Sequence, residues 1–363
     1  MERPFLAEDF NYTDGHAYRP WTTSETKIIN EASSIFHSAT RQRQSDLEEE
    51  YVKTFLNLAG QSIDFESHKF LQCTAASLGI EVIANFLRLK NMSLTLVEPC
   101  FDNLADIFKR HGINLESISD KNFDNHKFIN DIEGIKTDAI CLVSPNNPTG
   151  MSLSNDNFTK LVKFCHDRKI LLIMDFCFRA YLPKELRVDN YKILSDLGGD
   201  YFVIEDTGKT WPLAELKAPF VCVSKSIYNE IYSIWTDMIL HVSPFVLAMM
   251  VRIINNSIDD DLDSVKSVIS QNRNALYECL KGTGLTPKEK EYLSVSWIKL
   301  EDTTESEIVS LFASRNIHVL PGSYFFWANP IPNNHYVRIA LTRDPVQFKT
   351  ATLIIAELLN NLA

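Results

Sequence analysis

The strongest constraint on this 363-residue chain is a series of short, almost wholly apolar runs separated by amphipathic segments. Leu94-Thr95-Leu96-Val97, Ala139-Ile140-Cys141-Leu142-Val143, Ile170-Leu171-Leu172-Ile173-Met174 and Tyr201-Phe202-Val203-Ile204 are too short for helices and show no apolar–polar alternation. A strand with one wet face alternates, whereas a strand covered on both faces does not. A strand over 70–74 precedes them, and the intervening periodicity predicts helices over 77–89, 103–110 and 155–167. The alternation is that of an α/β fold, a mostly parallel sheet covered by helices on both faces. After about residue 240 the texture changes to a long helical region over 242–282, a strand over 295–300, a helix over 305–315, a strand over 335–341 and a last helix over 346–361. The division expected is 1–40 as an N-terminal lid segment and a helix joining the smaller domain, 41–258 as the large domain, and 259–363 as a smaller α+β domain.

In such folds the reactive side chains collect where strands end. Asp175 directly follows the third run, and Lys209 lies just past the fourth in Glu205-Asp206-Thr207-Gly208-Lys209-Thr210-Trp211-Pro212, with a second cation, Lys217, eight residues on. Ser144-Pro145-Asn146-Asn147-Pro148-Thr149-Gly150 follows Val143, and Thr74-Ala75-Ala76-Ser77 opens a helix. Each has an ordinary reading on its own: a turn aspartate, a solvated loop lysine, a helix-capping serine, a turn-forming Asn-Pro. Their joint occurrence at successive strand ends is what makes them a candidate site.

Composition removes several classes of partner. With 36 Lys and Arg against 47 Asp and Glu the net charge is −11, which disfavours nucleic acid, since phosphate binding needs a basic face. Seven cysteines are scattered without close pairs, as suits a reducing cytoplasm better than a disulfide framework or a zinc site. No apolar stretch is long enough to cross a membrane, and the first residues lack the apolar core of a signal peptide. The expectation is a soluble cytoplasmic protein with no metal, nucleic-acid or membrane partner.

Residues 144–150, Asp175 and Lys209 together resemble the fold-type I pyridoxal 5'-phosphate (PLP) enzymes of the class I/II aminotransferase group, over residues from about 70 to 343. The resemblance implies PLP as cofactor and Lys209 as its covalent anchor. It implies Asp175 as partner of the ring nitrogen, Asn147 as partner of the ring oxygen, and Phe101 as the aromatic stacked on the ring. Ser77 and the helix-start N–H groups would hold the phosphate, and Arg338 would grip the substrate's α-carboxylate. Lys217 stands where the group usually carries a phosphate-binding arginine, so the charge is kept and the two-pronged fork lost. Phe178 stands where a tyrosine is usual, leaving Cys177 as the nearer polar side chain. A homodimer with pockets at the subunit boundary is also implied, and the apolar segment 244–254 offers it a contact surface.

A narrower resemblance rests on Asp14-Gly15-His16-Ala17, Phe101-Asp102-Asn103-Leu104-Ala105-Asp106, residues 205–212 and Val337-Arg338-Ile339-Ala340-Leu341. These closely resemble the PLP-dependent L-arginine oxidases/hydroxylases of enduracididine and azomycin biosynthesis, although Cys177 departs from the serine of that group. That resemblance implies oxidation of L-arginine by O2 to 2-oxo-5-guanidinopentanoate, in some members to its 4-hydroxy derivative, with ammonia and hydrogen peroxide and without metal or flavin. A buried guanidinium needs carboxylates, and Asp206, Asp14 and Glu2 are the candidates. His16 is the acid–base candidate, since imidazole exchanges protons near neutral pH. Residues 1–22, polar and glycine-containing, are expected to be a lid that is mobile until substrate binds. The alternative is an aminotransferase for a basic amino acid. A non-catalytic member of the fold is a third reading, and the joint presence of Lys209, Asp175, Asn147 and Arg338 counts against it.

Overall fold

The computed structural model describes residues 10–213, 216–329 and 335–361. The elements run β1 (Phe10–Asn11), α1 (Thr23–Asn30), α2 (Ala32–Ala39), α3 (Gln44–Leu58), β2 (His68–Gln72), α4 (Ala76–Leu89), β3 (Leu94–Glu98), α5 (Asp102–Arg110), β4 (Leu115–Ser119), α6 (Phe128–Glu133), β5 (Ala139–Val143), α7 (Asn155–Arg168), β6 (Leu171–Asp175), α8 (Asn190–Leu197) and β7 (Tyr201–Glu205). They continue through β8 (Phe220–Ser224), α9 (Tyr228–Met238), α10 (Pro244–Ile258), α11 (Asp263–Leu280), β9 (Leu285–Pro287), β10 (Val295–Leu300), α12 (Glu305–Ala313), β11 (Ile317–His318), β12 (Leu320–Pro321), β13 (Tyr336–Ala340) and α13 (Pro345–Asn360).

Seven strands form one sheet in the order β2-β8-β7-β6-β5-β3-β4. Strand β8 is antiparallel to both neighbours, and every other neighbouring pair is parallel. All five residues of β5, β6, β7 and β8 are buried, as the unbroken apolar runs require. Strand β4 lies at an edge with Glu116, Ser117 and Ser119 exposed, so it lacks the apolar signature of the others. Helix α4 packs against the sheet closely enough that a Cβ on Gly79 would come within 2.7 Å of Val221 Cγ2. The remaining strands form a four-stranded antiparallel sheet, β12-β13-β10-β9, and a two-stranded parallel pair, β1 with β11.

Part of the N-terminal segment expected to be a lid is described, with residues 1–9 outside the described residues. Residues 10–18 are built into the second half of the chain: Phe10 and Asn11 pair with Ile317 and His318, Tyr12 N–H donates to His318 O, and Tyr18 N–H donates to Thr342 O. The buried guanidinium of Arg343 gathers the same segment, donating to the carbonyls of Asn11 (2.9 Å), His16 (2.9 Å) and Asp14. Tyr12, Thr13, Asp14 and Ala17 are buried in consequence. Nothing local in the sequence hints at this, because the partners are more than 300 residues apart. Strand β1 pairs with β11, while α1 and α2 lie against α10. A buried Arg19–Glu25 pair (Nη1 to Oε2 2.9 Å) and a Thr22–Glu25 capping box fix the turn into α1.

Helix α10 departs from the expectation placed on it. Leu247, Met249, Met250, Val251, Ile253 and Ile254 are buried against α1, α2 and α3, so its apolar face is spent inside the chain rather than on a subunit contact.

Candidate active site

A cavity of about 810 Å³ opens at the carboxyl ends of the parallel strands. Five strands deliver its floor. Strand β2 leads into residues 74–77, β3 into Phe101, β5 into Asn147, and β6 ends on Asp175 with Cys177 and Phe178 just beyond, while β7 leads into Asp206 and Lys209. Asp14, Gly15 and His16 from the N-terminal segment and Arg338 from β13 form the facing wall, and Lys217 lies at the same cavity. Ser77, Phe101, Asn147, Asp175, Cys177, Lys209, Lys217, Arg338, Asp206, Asp14 and His16 therefore all line one space, whereas Glu2 lies outside the described residues.

The loop after β5 is held from beneath. Asn146 Nδ2 donates to Pro99 O (2.7 Å) and to Asp120 Oδ2 (2.8 Å), and Thr149 Oγ1 donates to the same carboxylate. Gly150 has φ +76°, and a Cβ there would stand 2.8 Å from Lys290 Cβ, so glycine is required on two counts. With Asn146 so occupied, its neighbour Asn147 is left to face the cavity. Its Oδ1 is buried with no hydrogen-bond partner among the described residues, an unmet polar atom that a ligand would satisfy.

Helix α4 points its N-terminus at the same space. Its N-cap is Ala75, which has no side chain to cap the helix, and Ala75, Ala76 and Ser77 all line the cavity. The first N–H groups of a helix so begun have no partner within it and favour an anion.

Asp175 is deeply buried, and its Oδ1 accepts the Cys177 N–H at 2.9 Å. Burial pushes its carboxyl above the usual range against the pull of that hydrogen bond. The Cys177 thiol is also pushed up, first by burial and then by the Asp175 and Asp206 carboxylates, so it stands as a neutral thiol. Asp206 turns back to accept the Gly208 N–H at 2.9 Å through Oδ1. Tyr181 donates its hydroxyl to Lys209 O, fixing the backbone of the lysine loop from below.

On the facing wall, His16 Nδ1 lies 2.5 Å from Asp14 Oδ1, and Tyr18 donates to Asp14 Oδ2 at 2.8 Å. Burial alone would raise the Asp14 carboxyl, but its hydrogen bonds with His16 and the charge on Lys209 hold it far below the usual range. Asp14 is thus first of all a partner of His16. The other imidazole nitrogen, Nε2, lies 3.2 Å from Lys217 Nζ. Arg338 is fully buried, donates to Thr13 O, and has its guanidinium 5.4 Å from the Phe325 ring and 6.0 Å from that of Phe101. Tyr18 and Arg343 support this wall, yet neither is among the residues that the sequence marks out. Tyr18 sits four residues after Asp14 in a turn-rich stretch, and Arg343 carries no local signal.

Comparison with known proteins agrees with this architecture. The family model "Aminotransferase class I and II" matches residues 7–352. Histidinol-phosphate aminotransferase from Colwellia psychrerythraea is 26% identical over 242 residues, a stretch covering 63% of this chain and 62% of that protein. The putative aminotransferase YugH of Bacillus subtilis is 19% identical over 314 residues, 84% of this chain and 80% of the other. Among solved structures, MppP soaked with the product 2-ketoarginine superposes with a TM-score of 0.87 at 26% identity, covering 96% of this chain and 99% of that one. The histidinol-phosphate aminotransferase of Clostridium acetobutylicum shares the fold, with a TM-score of 0.73 at 15% identity over 96% of this chain and 99% of the other. The chain belongs to the aminotransferase class I and II family.

Proposed function

We propose that this chain is a PLP-dependent oxidase of L-arginine: L-arginine, O2 and water give 2-oxo-5-guanidinopentanoate, ammonia and hydrogen peroxide. The cavity fits PLP at each end. For the phosphate, α4 offers uncapped N–H groups and Lys217 a cation; for the ring, Asn147 has an unmet amide oxygen, and Asp175 lies at the floor hydrogen-bonded to an N–H rather than paired with a cation. A carboxylate at that depth is costly unless a cation meets it, and a protonated ring nitrogen is such a cation. PLP bound here supplies an electron sink for charge released at the substrate's α-carbon.

The chain's own residues do the rest. Lys209, whose backbone Tyr181 fixes, is the covalent anchor and the base that takes the α-proton. Arg338 receives the α-carboxylate, its orientation set by Thr13 O and the flanking Phe101 and Phe325 rings. Asp206 and Asp14 place negative charge on the cavity wall for a guanidinium, and His16, oriented by Asp14, exchanges the proton on the oxygen side.

The observation carrying the oxidase reading over simple amine transfer is the His16–Asp14 pair, placed opposite Lys209 by the buried N-terminal segment. The likeness to MppP, a protein soaked with 2-ketoarginine as its product, supports it. The curated relatives favour a second reading, an aminotransferase for a basic amino acid. O2 uptake separates the two. Purified protein mixed with L-arginine in air and without any keto acid consumes O2 and releases ammonia if it is an oxidase. If turnover needs an added keto acid and leaves O2 untouched, the chain is an aminotransferase.

A further inference from the structure

Lys217 stands in an arginine position, and its amine is not given over to the phosphate end alone. Its Nζ lies 3.2 Å from His16 Nε2, and the other side of that imidazole is already committed, Nδ1 lying 2.5 Å from Asp14 Oδ1. An ammonium has hydrogens to give and no lone pair to accept with, so Nε2 in this contact must be the acceptor. Nδ1 therefore carries the ring hydrogen and donates it to the carboxylate. If the ring also carried a hydrogen on Nε2, two donors of like charge would face each other across the contact.

Gly208 is a separate sign that the contact is built. A Cβ there would stand 3.1 Å from Lys217 Cδ and 3.2 Å from His16 Cδ2. Glycine is what lets the lysine stem and the imidazole close on the same point of the loop that carries Lys209. An arginine at 217 could fork onto a phosphate, but lysine brings one compact charge that can be divided between phosphate and imidazole.

We propose that Lys217 is a positioning residue that keeps hydrogen off His16 Nε2, so that the phosphate end of the site and its acid–base group share one cation. The phosphate half of this rests on the cofactor reading above; the tautomer half rests on the contact geometry alone. While Lys217 is in place Nε2 has no hydrogen to donate and its lone pair is engaged, so His16 can take up a proton there only when Lys217 withdraws.

The test is 15N spectroscopy of the cofactor-loaded protein, labelled at its nine histidines, with His16 assigned by the signal lost in His16→Gln. The parent should show one N–H-type nitrogen and one lone-pair-type nitrogen for His16 at neutral pH. Lys217→Met should abolish that pattern and weaken PLP retention about tenfold, the equivalent of ~1.4 kcal/mol. Gly208→Ala, which removes no functional group, should also disturb the His16 pattern by prising the two side chains apart, and Lys217→Arg should preserve it. A hydrogen on Nε2 in the parent, or an unchanged ring spectrum in folded Lys217→Met, overturns the proposal. Weaker cofactor retention with an unmoved ring spectrum overturns the coupling and leaves the cofactor reading standing. A failed O2 assay with the expected ring spectrum sinks the oxidase reading alone.

Discussion

Lys209 and Asp206 sit three residues apart on one loop, and their proposed tasks can be separated one side chain at a time. Lys209 is expected to hold the cofactor covalently, so borohydride reduction should fix a pyridoxyl label on it and on no other lysine. Lys209→Ala should still bind PLP and lose turnover. Asp206 is buried and spends one oxygen on the Gly208 N–H, leaving the other for a cation. Asp206→Asn should weaken arginine relative to norleucine by ~2–4 kcal/mol, because one partner of a desolvated charge pair is lost. An unchanged preference, measured by competition between the two amino acids, would remove Asp206 from the site. These residues are legible in the sequence because their spacing follows strand ends. Arg343 is not, since nothing near it says that its guanidinium will bind carbonyls of residues 11–16. The Asp14 carboxylate, a substrate contact by sequence expectation, has His16 and Tyr18 as its first partners.

At the scale of elements, the buried strands are readable because a run apolar at both parities must be covered on both faces. Strand β4 is not, being a polar edge, and neither is β8, whose antiparallel direction depends on where β7 and β2 lie. The contacts least legible in the sequence are those of residues 10–18. Glycine and polar side chains suggest a loose lid, but tertiary hydrogen bonds override composition here. Burial brings the Arg343 guanidinium down to about 10, and it remains the hub that satisfies carbonyls of this segment. Arg343→Met should leave those buried carbonyls unsatisfied and cost ~2–4 kcal/mol. Amide hydrogen exchange in residues 10–18 should rise much more than in β5 or β6. Uniform protection across all of these would show that the segment is held by other means.

For the whole molecule, two buried groups away from the cavity pull the pH dependence of stability in opposite directions: Glu205, whose carboxyl burial pushes up to about 7, and His68. His68 is buried on β2, with Nδ1 2.6 Å from Tyr201 Oη and Nε2 3.1 Å from Tyr191 O, and burial lowers its pKa from 6.5. As pH falls below 6.5 the unfolded chain takes up a proton that the folded His68 refuses, so the His68 contribution to stability falls. Chemical denaturation at pH 8 and pH 5.5 (roughly the span that brackets an ordinary imidazole) should show this. On going from the higher pH to the lower, His68→Gln should lose less stability, or gain more, than the parent, and an equal change in midpoint would clear His68. A homodimer remains the expected assembly, resting now on the family alone because α10 is covered. Light scattering should give about twice 41.5 kDa, and a fully active monomer would contradict it.

The two walls of the cavity hang on different sheets. Lys209, Asp175 and Asn147 stand on the seven-stranded sheet, while Asp14, His16 and Arg338 travel with β1 and β13. Contacts between them include Ala17 N–H to Gly208 O at 3.3 Å and His16 to Lys217 at 3.2 Å, with Lys290 N–H to Thr149 O (2.9 Å) and Tyr292 Oη to Gly150 O (2.6 Å) further along. The backbone of this wall is pinned by Arg343 to the frame that carries Arg338. If the site opens, residues 10–18 are expected to move with that frame, so that the His16–Lys217 contact and the position of Arg338 would change together. A cross-link joining the two sheets would then slow entry and exit together, and would lock in whatever was bound when it formed.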